Sequence, residues 1–178
     1  WKHIGSRSLL ETRIFDVTAE SYVSPRTDQP SEYIRLRCPD WVNMIVLTCD
    51  REIVLVKQWR HGLGDFTLEI PGGMVDPGEE AAVAAAREVR EETGYVGDSP
   101  QKLGIVHPNP AFLDNRCSTW LLENCRHEGE QQLDAGEDIE VVVVPLNDVR
   151  GLIARGEIVN ALVVCAFWWL EQERPDLF

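Results

Sequence analysis

The sequence lacks any long uninterrupted apolar segment. Its longest apolar run, from Ala161 to Leu170, covers ten residues, whereas a helix needs about 20 to cross a bilayer. The first twenty residues also lack the apolar block and small-residue cleavage site of a secretory signal. These absences argue against a membrane partner, and we expect a cytoplasmic protein.

Paired cysteines and basic residues are also scarce. The five cysteines are an odd number without a C-x-x-C pair, which argues against a disulfide framework and a structural zinc site. Lys and Arg number 17 against 30 Asp and Glu, and the net charge is −13. Most of the excess lies in residues 76–92 and 128–140. Acidic clusters suit hard divalent cations and repel a nucleic-acid backbone, so we expect no nucleic-acid partner.

Residues 1–40 differ in pattern from the rest of the chain. Alternating stretches at 9–17 and 33–36 flank a turn-rich segment at 24–31, which predicts a small β extension of exposed strands. Such a piece buries little by itself, and exposed strand edges tend to pair with another chain. We therefore expect the extension to take part in a homodimer contact.

The second region, residues 41–178, carries stronger patterns. A hairpin is predicted first, then a further strand, an alanine-rich helix closed by Gly94, three strands and two helices. The predicted strands are 44–48, 53–59, 66–70, 103–107, 118–123 and 139–145. The predicted helices are 79–93, a short helix to Arg155 capped by Asn147 or Asp148, and 159–172. Strands on both sides of one central helix indicate a mixed α/β or α+β domain.

Three glutamates share one face of the predicted central helix. Glu88, Glu91 and Glu92 stand at positions i, i+3 and i+4, which places their carboxylates at neighbouring turns. These carboxylates repel one another unless a positive charge lies among them, and Arg87 offsets only part of that repulsion. Oxygen ligands so spaced suit Mg²⁺, although a solvated glutamate-rich helix would show the same three residues.

The residues around this helix complete a longer pattern. Gly73 is followed after five residues by Glu79, and after seven more by the segment 87–95, REVREETGY. This resembles the signature of the Nudix hydrolases, G-x5-E-x7-R-E-U-x-E-E-x-G-U, in which U is a bulky apolar residue. All seven fixed residues and Val89 match. Tyr95 is aromatic where an aliphatic residue is usual.

The resemblance implies a fold, a reaction and a set of roles. The fold would be an α/β/α sandwich with a mixed sheet, and the reaction would be hydrolysis of a nucleoside diphosphate linked to another group, with Mg²⁺ or Mn²⁺. It implies as metal ligands Glu88, Glu91, Glu92 and the carbonyl of Gly72, with Glu91 also counted as catalytic. It implies as structural residues of the motif Gly73, Glu79, Arg87 and Gly94, with Glu79 paired to Arg87.

Residues outside the motif resemble one subgroup of the family. The run Gln58-Trp59-Arg60 followed by 68–73, LEIPGG, is similar to the ADP-ribose and nucleotide-sugar pyrophosphatases, as is Pro110, fifteen residues beyond Tyr95. The substrate implied is a small nucleotide sugar, whose base and sugar the sequence does not identify.

A nucleotide sugar requires a cation for its diphosphate and an aromatic surface for its base. Arg60 is the leading diphosphate ligand, because a guanidinium matches phosphate in bidentate fashion, and Arg116 is a second candidate. Glu69, from the LEIPGG run, is counted with the substrate-binding residues. The aromatic candidates are Trp59, Trp41, Phe66 and Trp120.

A general base is expected from an acidic loop outside the motif, as in the sugar-nucleotide subgroup. The dense acidic segment after the helix is 128–140, EGEQQLDAGEDIE. We choose Glu137 over Asp134 and over Glu140, which is close to the following strand. Gly136 beside it would let the loop close over substrate.

Two other functions fit the same motif. One is a house-cleaning nucleoside triphosphatase that releases pyrophosphate. The other is a non-catalytic domain that senses ADP-ribose or a dinucleotide, although that role is typical of chains with eroded carboxylates or an attached DNA-binding domain.

Overall fold

The computed structural model describes residues 1–178, which divide into two compact units. The first comprises residues 1–40 and 106–116, and the second comprises residues 41–105 and 117–178. The segment 106–116, distant in sequence, therefore belongs with the first forty residues.

The first unit is built on a three-stranded antiparallel sheet in the order β1 (Lys2–Glu11), β2 (Asp16–Val23), β3 (Pro30–Arg37). The extension consists of strands, as predicted, but the alternating stretch at 9–17 spans two of them, because the chain turns between β1 and β2. The Thr12 hydroxyl accepts hydrogen bonds from the backbone N–H groups of Ile14 and Phe15, and this side-chain turn stops the strand.

The segment 106–116 is tied to β3 through polar contacts. The Arg35 guanidinium donates to the Asp114 carboxylate at 2.8 Å from Nη2, and the Leu36 N–H donates to the Phe112 carbonyl at 2.8 Å. The Asn115 amide nitrogen donates to the Pro39 carbonyl at 3.0 Å. These bonds close the first unit around its sheet.

The second unit contains the predicted hairpin, central helix and terminal helix. Its strands are β4 (Trp41–Thr48), β5 (Glu52–Arg60), β6 (Asp65–Glu69), β7 (Gly72–Met74), β8 (Tyr95–Val96), β9 (Gln101–Val106), β10 (Cys117–His127) and β11 (Ile139–Pro145). Its helices are α1 (Ala81–Thr93), α2 (Val149–Ala154) and α3 (Ala161–Glu173), with 3-10 turns at 146–148 and 175–177. The short strands β7 and β8 were not predicted.

The sheet of this unit is mixed, and two of its central strands diverge. Its order is β11-β5-β4-β10-β8, with β4 and β10 parallel. β4 and β5 pair only at Leu47 and Ile53. Beyond that point β5 pairs with β6, and β4 pairs with β7. The chain between β6 and β7 therefore crosses from one strand to the other, and this crossing places Gly72 beside Asn43.

Helices cover both faces of the sheet, which confirms the expected α/β/α sandwich. Alternate residues of β4 face opposite sides. Val42, Met44 and Val46 pack in one apolar cluster with α1. Ile45 and Leu47 pack in the other with α2 and α3. None of the helices combines the length and the apolar composition needed to span a membrane.

Helix α1 ends as the sequence predicts. Gly94 adopts a left-handed conformation with φ of 71° and its N–H donates to the Arg90 carbonyl. A side chain at this position would also overlap the Gly129 carbonyl. Glycine is therefore required here by backbone conformation and by space.

Candidate active site

The two glycines of β7 lie close to their neighbours, Gly72 to the backbone of β4 and Gly73 to the Glu88 side chain on α1. A Cβ on Gly73 would overlap the Glu88 carboxylate, and one on Gly72 would lie 2.6 Å from the Val42 carbonyl. The Gly72 N–H donates to the Glu92 carboxylate at 2.9 Å. The two glycines thus bring main-chain polar groups next to the acidic face of the helix.

Arg87 connects the loop after β7 to the helix. Its Nε and Nη2 donate to the two carboxylate oxygens of Glu79, each at 2.9 Å. Its Nη1 donates to Glu88 at 2.9 Å and to Glu91 at 3.0 Å, and Nη2 also donates to the Met74 carbonyl at 3.2 Å. These five contacts match the five N–H donors of a guanidinium.

Glu92 is buried, with 4% of the residue exposed, and the pKa of its carboxyl is raised. Burial, the largest cause, and the charges of Glu88 and Glu137 together raise the pKa of Glu92 from 4.5 to about 8, against the opposing effects of the Gly72 hydrogen bond and Arg60. A negative charge on Glu92 is therefore disfavoured unless a further positive group comes next to it.

Glu88 shares this environment. Burial raises the pKa of Glu88, Arg87 lowers it, and the charges of Glu91 and Glu137 raise it again. Glu137 is therefore within electrostatic reach of the carboxylates on α1, and its own carboxylate accepts a hydrogen bond from the Asp134 N–H at 2.9 Å. Glu140 lies on β11 and pairs with Lys57 at 3.4 Å.

The chemistry of these groups fits a divalent cation. Three carboxylates and a nearby carbonyl supply hard oxygen donors, and burial of their like charges is relieved by a positive ion. As the side chains lie, no group of three or more His, Cys, Asp or Glu residues surrounds a common point. Glu88 and Glu91 are instead engaged by Arg87, and Glu92 by the Gly72 N–H.

Arg60 and Glu69 form a second charged pair near this face. Arg60 Nε and Nη2 donate to the two Glu69 oxygens, both at 2.8 Å. Burial alone would raise the pKa of Glu69, but hydrogen bonds from Arg60 and Thr67 bring it below its ordinary value. The Asn160 amide nitrogen also donates to Glu69 at 2.7 Å. Glu69 is thus a fixed anion that orients Arg60.

A cavity of about 330 Å³ adjoins these groups. Its walls come from the start of β4, from β6 and β7, and from the first turn of α3, and include Trp41, Asn43, Arg60, Glu69, Gly72 and Asn160. Sequence reasoning missed Asn43 and Asn160. Asn160 could have been found as the helix N-cap before α3, since its side chain accepts from the Leu162 N–H. Asn43 gave no such signal.

The other predicted substrate residues make contacts of their own. The Trp59 ring is 41% exposed and meets Phe66 edge to face at 5.3 Å between ring centres. Trp120 is half buried and donates to the Ser118 hydroxyl. Arg116 belongs to the first unit, where its guanidinium holds Asp40 with the shorter bond at 2.7 Å.

Comparison with known proteins gives consistent matches. The NUDIX domain model matches residues 39–167. An ADP-ribose pyrophosphatase of Bacillus subtilis is 29% identical over 171 residues, covering 96% of this chain and 92% of that protein. A methanol dehydrogenase activator of Bacillus methanolicus is 27% identical over 171 residues, with the same coverage. A crystal structure of an ADP compounds hydrolase superposes with a TM-score of 0.87 at 20% identity, covering 98% of this chain and 94% of that chain, and shows a shared fold.

The raised pKa of Glu92 predicts an unusual pH dependence of stability in protein without bound metal. An unfolded Glu ionises near 4.5, so between that pH and about 8 the folded state holds the extra proton. Stability should therefore fall as pH rises through this interval. Glu92→Gln cannot ionise and keeps an oxygen for the Gly72 N–H. Its free energy of unfolding should equal that of wild type near pH 5 and exceed it by roughly 2–4 kcal/mol at pH 9.

Urea unfolding in the presence of a chelator, at pH 5 and pH 9, measures this difference. Glu91→Gln is the matched control, because the Glu91 side chain is 38% exposed on the same helix face, and it should show no comparable gain. Equal stability of wild type and Glu92→Gln at pH 9 would contradict the prediction.

Proposed function

The chain belongs to the Nudix family, and from this premise we propose that it hydrolyses ADP-ribose or a related nucleoside diphosphate sugar. It is a Nudix hydrolase and acts on a phosphoric anhydride. The products would be a nucleoside monophosphate and a sugar phosphate. The observation that carries the proposal is the cavity lined by Arg60, Gly72 and Gly73, in which the Arg60 guanidinium is within electrostatic reach of Glu92 on α1. Resemblance to the Bacillus subtilis ADP-ribose pyrophosphatase supports the choice of substrate.

Nudix hydrolases generally use divalent metals, and we propose Mg²⁺ or Mn²⁺ here. The ligands would be Glu88, Glu91, Glu92 and the Gly72 carbonyl. The proposal is supported by the raised pKa values of Glu88 and Glu92, because they indicate that the charged forms of these carboxyls lack a compensating positive ion. Such an ion would polarise the phosphoryl oxygens and lower the pKa of bound water. These three carboxylates would hold the ion, and Glu91 would also act in catalysis.

Arg60 would bind the diphosphate. Glu69 takes one Nε and one Nη2 donor, so the Nη1 edge and the remaining Nη2 proton are left for a phosphate. The fixed geometry of this pair means that little side-chain entropy is lost when substrate binds. Trp59 is also proposed as a contact for the base, and Arg116 as a second ligand for the diphosphate.

Glu137 would accept a proton from the attacking water. Support comes from its electrostatic reach to Glu88 and Glu92 and from its place in the turn at 134–137, where the Glu137 N–H donates to the Asp134 carbonyl at 2.9 Å. Gln131 and Gln132 bond the start of the acidic loop to α1, and movement of the turn beyond them would let Glu137 approach or leave the substrate.

The substrate assignment predicts a specific product pattern. With Mg²⁺, wild type should convert ADP-ribose to AMP and ribose 5-phosphate, because attack falls on the diphosphate bridge. Chromatography of a panel containing ADP-ribose, ADP-glucose, GDP-mannose, UDP-glucose and the nucleoside triphosphates checks this and ranks the bases and sugars. Efficient pyrophosphate release from triphosphates with no sugar nucleotide cleaved would move the chain to the house-cleaning group. Binding of ADP-ribose without turnover at any metal concentration would make it a sensor.

The role of Glu137 predicts a separation of rate from binding. Glu137→Gln should lower kcat by about 10²-fold or more, leave KM within a few fold, and remove the acidic limb of the pH–rate profile. Glu140→Gln is the control, since that side chain pairs with Lys57 on the exposed side of β11. If Glu140→Gln loses the acidic limb and Glu137→Gln keeps it, the base is not Glu137.

We also propose that the protein is a cytoplasmic homodimer in which residues 1–40 contact the partner subunit. The first unit exposes several large apolar side chains, including Ile4 (51%), Leu10 (56%) and Ile34 (50%). Apolar groups exposed at this density in a small unit favour association.

Light scattering at micromolar concentration should give twice the mass of the 20.2 kDa chain. Ile34→Glu should weaken the dimer, because it places a charge in the apolar contact. Val83→Glu, at a 58% exposed position of the second unit, should leave the mass unchanged. A single 20.2 kDa species for wild type would refute the dimer.

A further inference from the structure

Asn43, one of the residues that line the cavity, carries a buried polar atom that no protein group satisfies. Asn43 is 7% exposed, and its Nδ2 donates to the Leu162 carbonyl at 3.4 Å. Its Oδ1 has no hydrogen-bond partner. If the Asn43 amide were turned over, Oδ1 would face the Leu162 carbonyl, and two acceptors cannot form a hydrogen bond. The Leu162 carbonyl therefore fixes the orientation of the amide.

Because Asn43 lies at a buried position, its unpartnered oxygen lowers the stability of the fold unless a donor binds to it. Asn43 lies on the same face of β4 as Ile45 and Leu47, which pack in the core beside α3. An apolar residue would satisfy the same pattern, whereas a buried acceptor without a partner costs free energy. In the structure Oδ1 has almost no accessible surface, so a donor in the cavity reaches it only when the Asn43 side chain turns toward the ligand. The hydrogen bond formed then recovers the cost.

Asn43 also lies beside the groups proposed to act on the diphosphate. It is the register partner of Gly72, and it shares the cavity with Arg60 and Glu69. A ligand whose diphosphate reaches Arg60 therefore brings its flanking groups near Asn43. In a nucleotide sugar the neutral donors closest to the diphosphate are sugar hydroxyls.

We propose that Asn43 Oδ1 accepts a hydrogen bond from a sugar hydroxyl of the substrate and selects for hydroxyl-bearing diphosphates. The proposal deepens the proposed function and rests on it. The hydroxyl belongs either to the distal sugar or to the nucleoside ribose, and substrates lacking one or the other distinguish the two.

The test compares three substrates in wild type and Asn43→Ala. They are ADP-ribose, the methyl ester of ADP, which has no distal sugar, and 2′,3′-dideoxyadenosine 5′-diphosphoribose, which lacks the nucleoside hydroxyls. Asn43→Ala should lose roughly tenfold in kcat/KM on ADP-ribose and little on the analogue that lacks the contacted hydroxyl. Calorimetric binding of the non-hydrolysable α,β-methylene analogue of ADP-ribose should weaken by a similar factor.

Asn115→Ala is the matched control. Asn115 is 2% exposed, its Nδ2 donates to the Pro39 carbonyl, and its Oδ1 also lacks a partner, but it does not line the cavity. It should leave the ratio among the three substrates unchanged. Asn43→Leu keeps the branched shape of the side chain and replaces Asn43→Ala if the smaller residue destabilises the fold.

The outcomes separate this inference from the proposed function. Equal losses on all three substrates, or no loss on any, would overturn the role of Asn43 while ADP-ribose hydrolysis stands. Failure of wild type to cleave or bind any of the three would overturn the proposed function and the inference with it.

Discussion

Arg87 lies among three glutamates whose like charges would otherwise separate them. Its five donors are divided among Glu79, Glu88, Glu91 and the Met74 carbonyl, so one side chain joins the loop after β7 to the acidic face of α1. A lysine could not replace it, because a compact ammonium lacks the planar set of donors. The position of the acids relative to the β7 backbone depends on this guanidinium.

The contacts of Arg87 lie where β4 and β5 diverge. Those strands pair at a single position, and β6 and β7 complete their hydrogen bonds. The crossing between β6 and β7 presents Gly72 and Gly73 to α1 on one side, while Asn43 and the cavity lie next to it. The core and the site are therefore not independent, since the same departure from regular pairing creates both.

Sequence alone predicted what local spacing determines. The helical period placed Glu88, Glu91 and Glu92 on one face, and Gly94 marked the helix end. It could not show the return of 106–116 to the first unit or the pairing of β7 with β4, because these join residues far apart in the chain. The turn at Thr12 depends on a side-chain hydrogen bond that hydrophobic alternation does not report. Asn43 was missed because a polar residue at a strand end usually indicates only exposure.

The site concentrates features that a fold optimised only for stability would avoid. Glu92 is buried although its charge is costly there, and Asn43 presents an acceptor that no protein group meets. Arg60 and Asn160 donate hydrogen bonds to Glu69, a buried carboxylate at a position where an apolar residue would need no partners. The first two features lower the stability of the protein when no ligand is bound, and binding relieves them, of a cation at Glu92 and of a hydrogen-bond donor at Asn43. The loss of stability and the capacity to bind a ligand thus have the same origin, in the uncompensated Glu92 carboxyl and the unpartnered Asn43 oxygen.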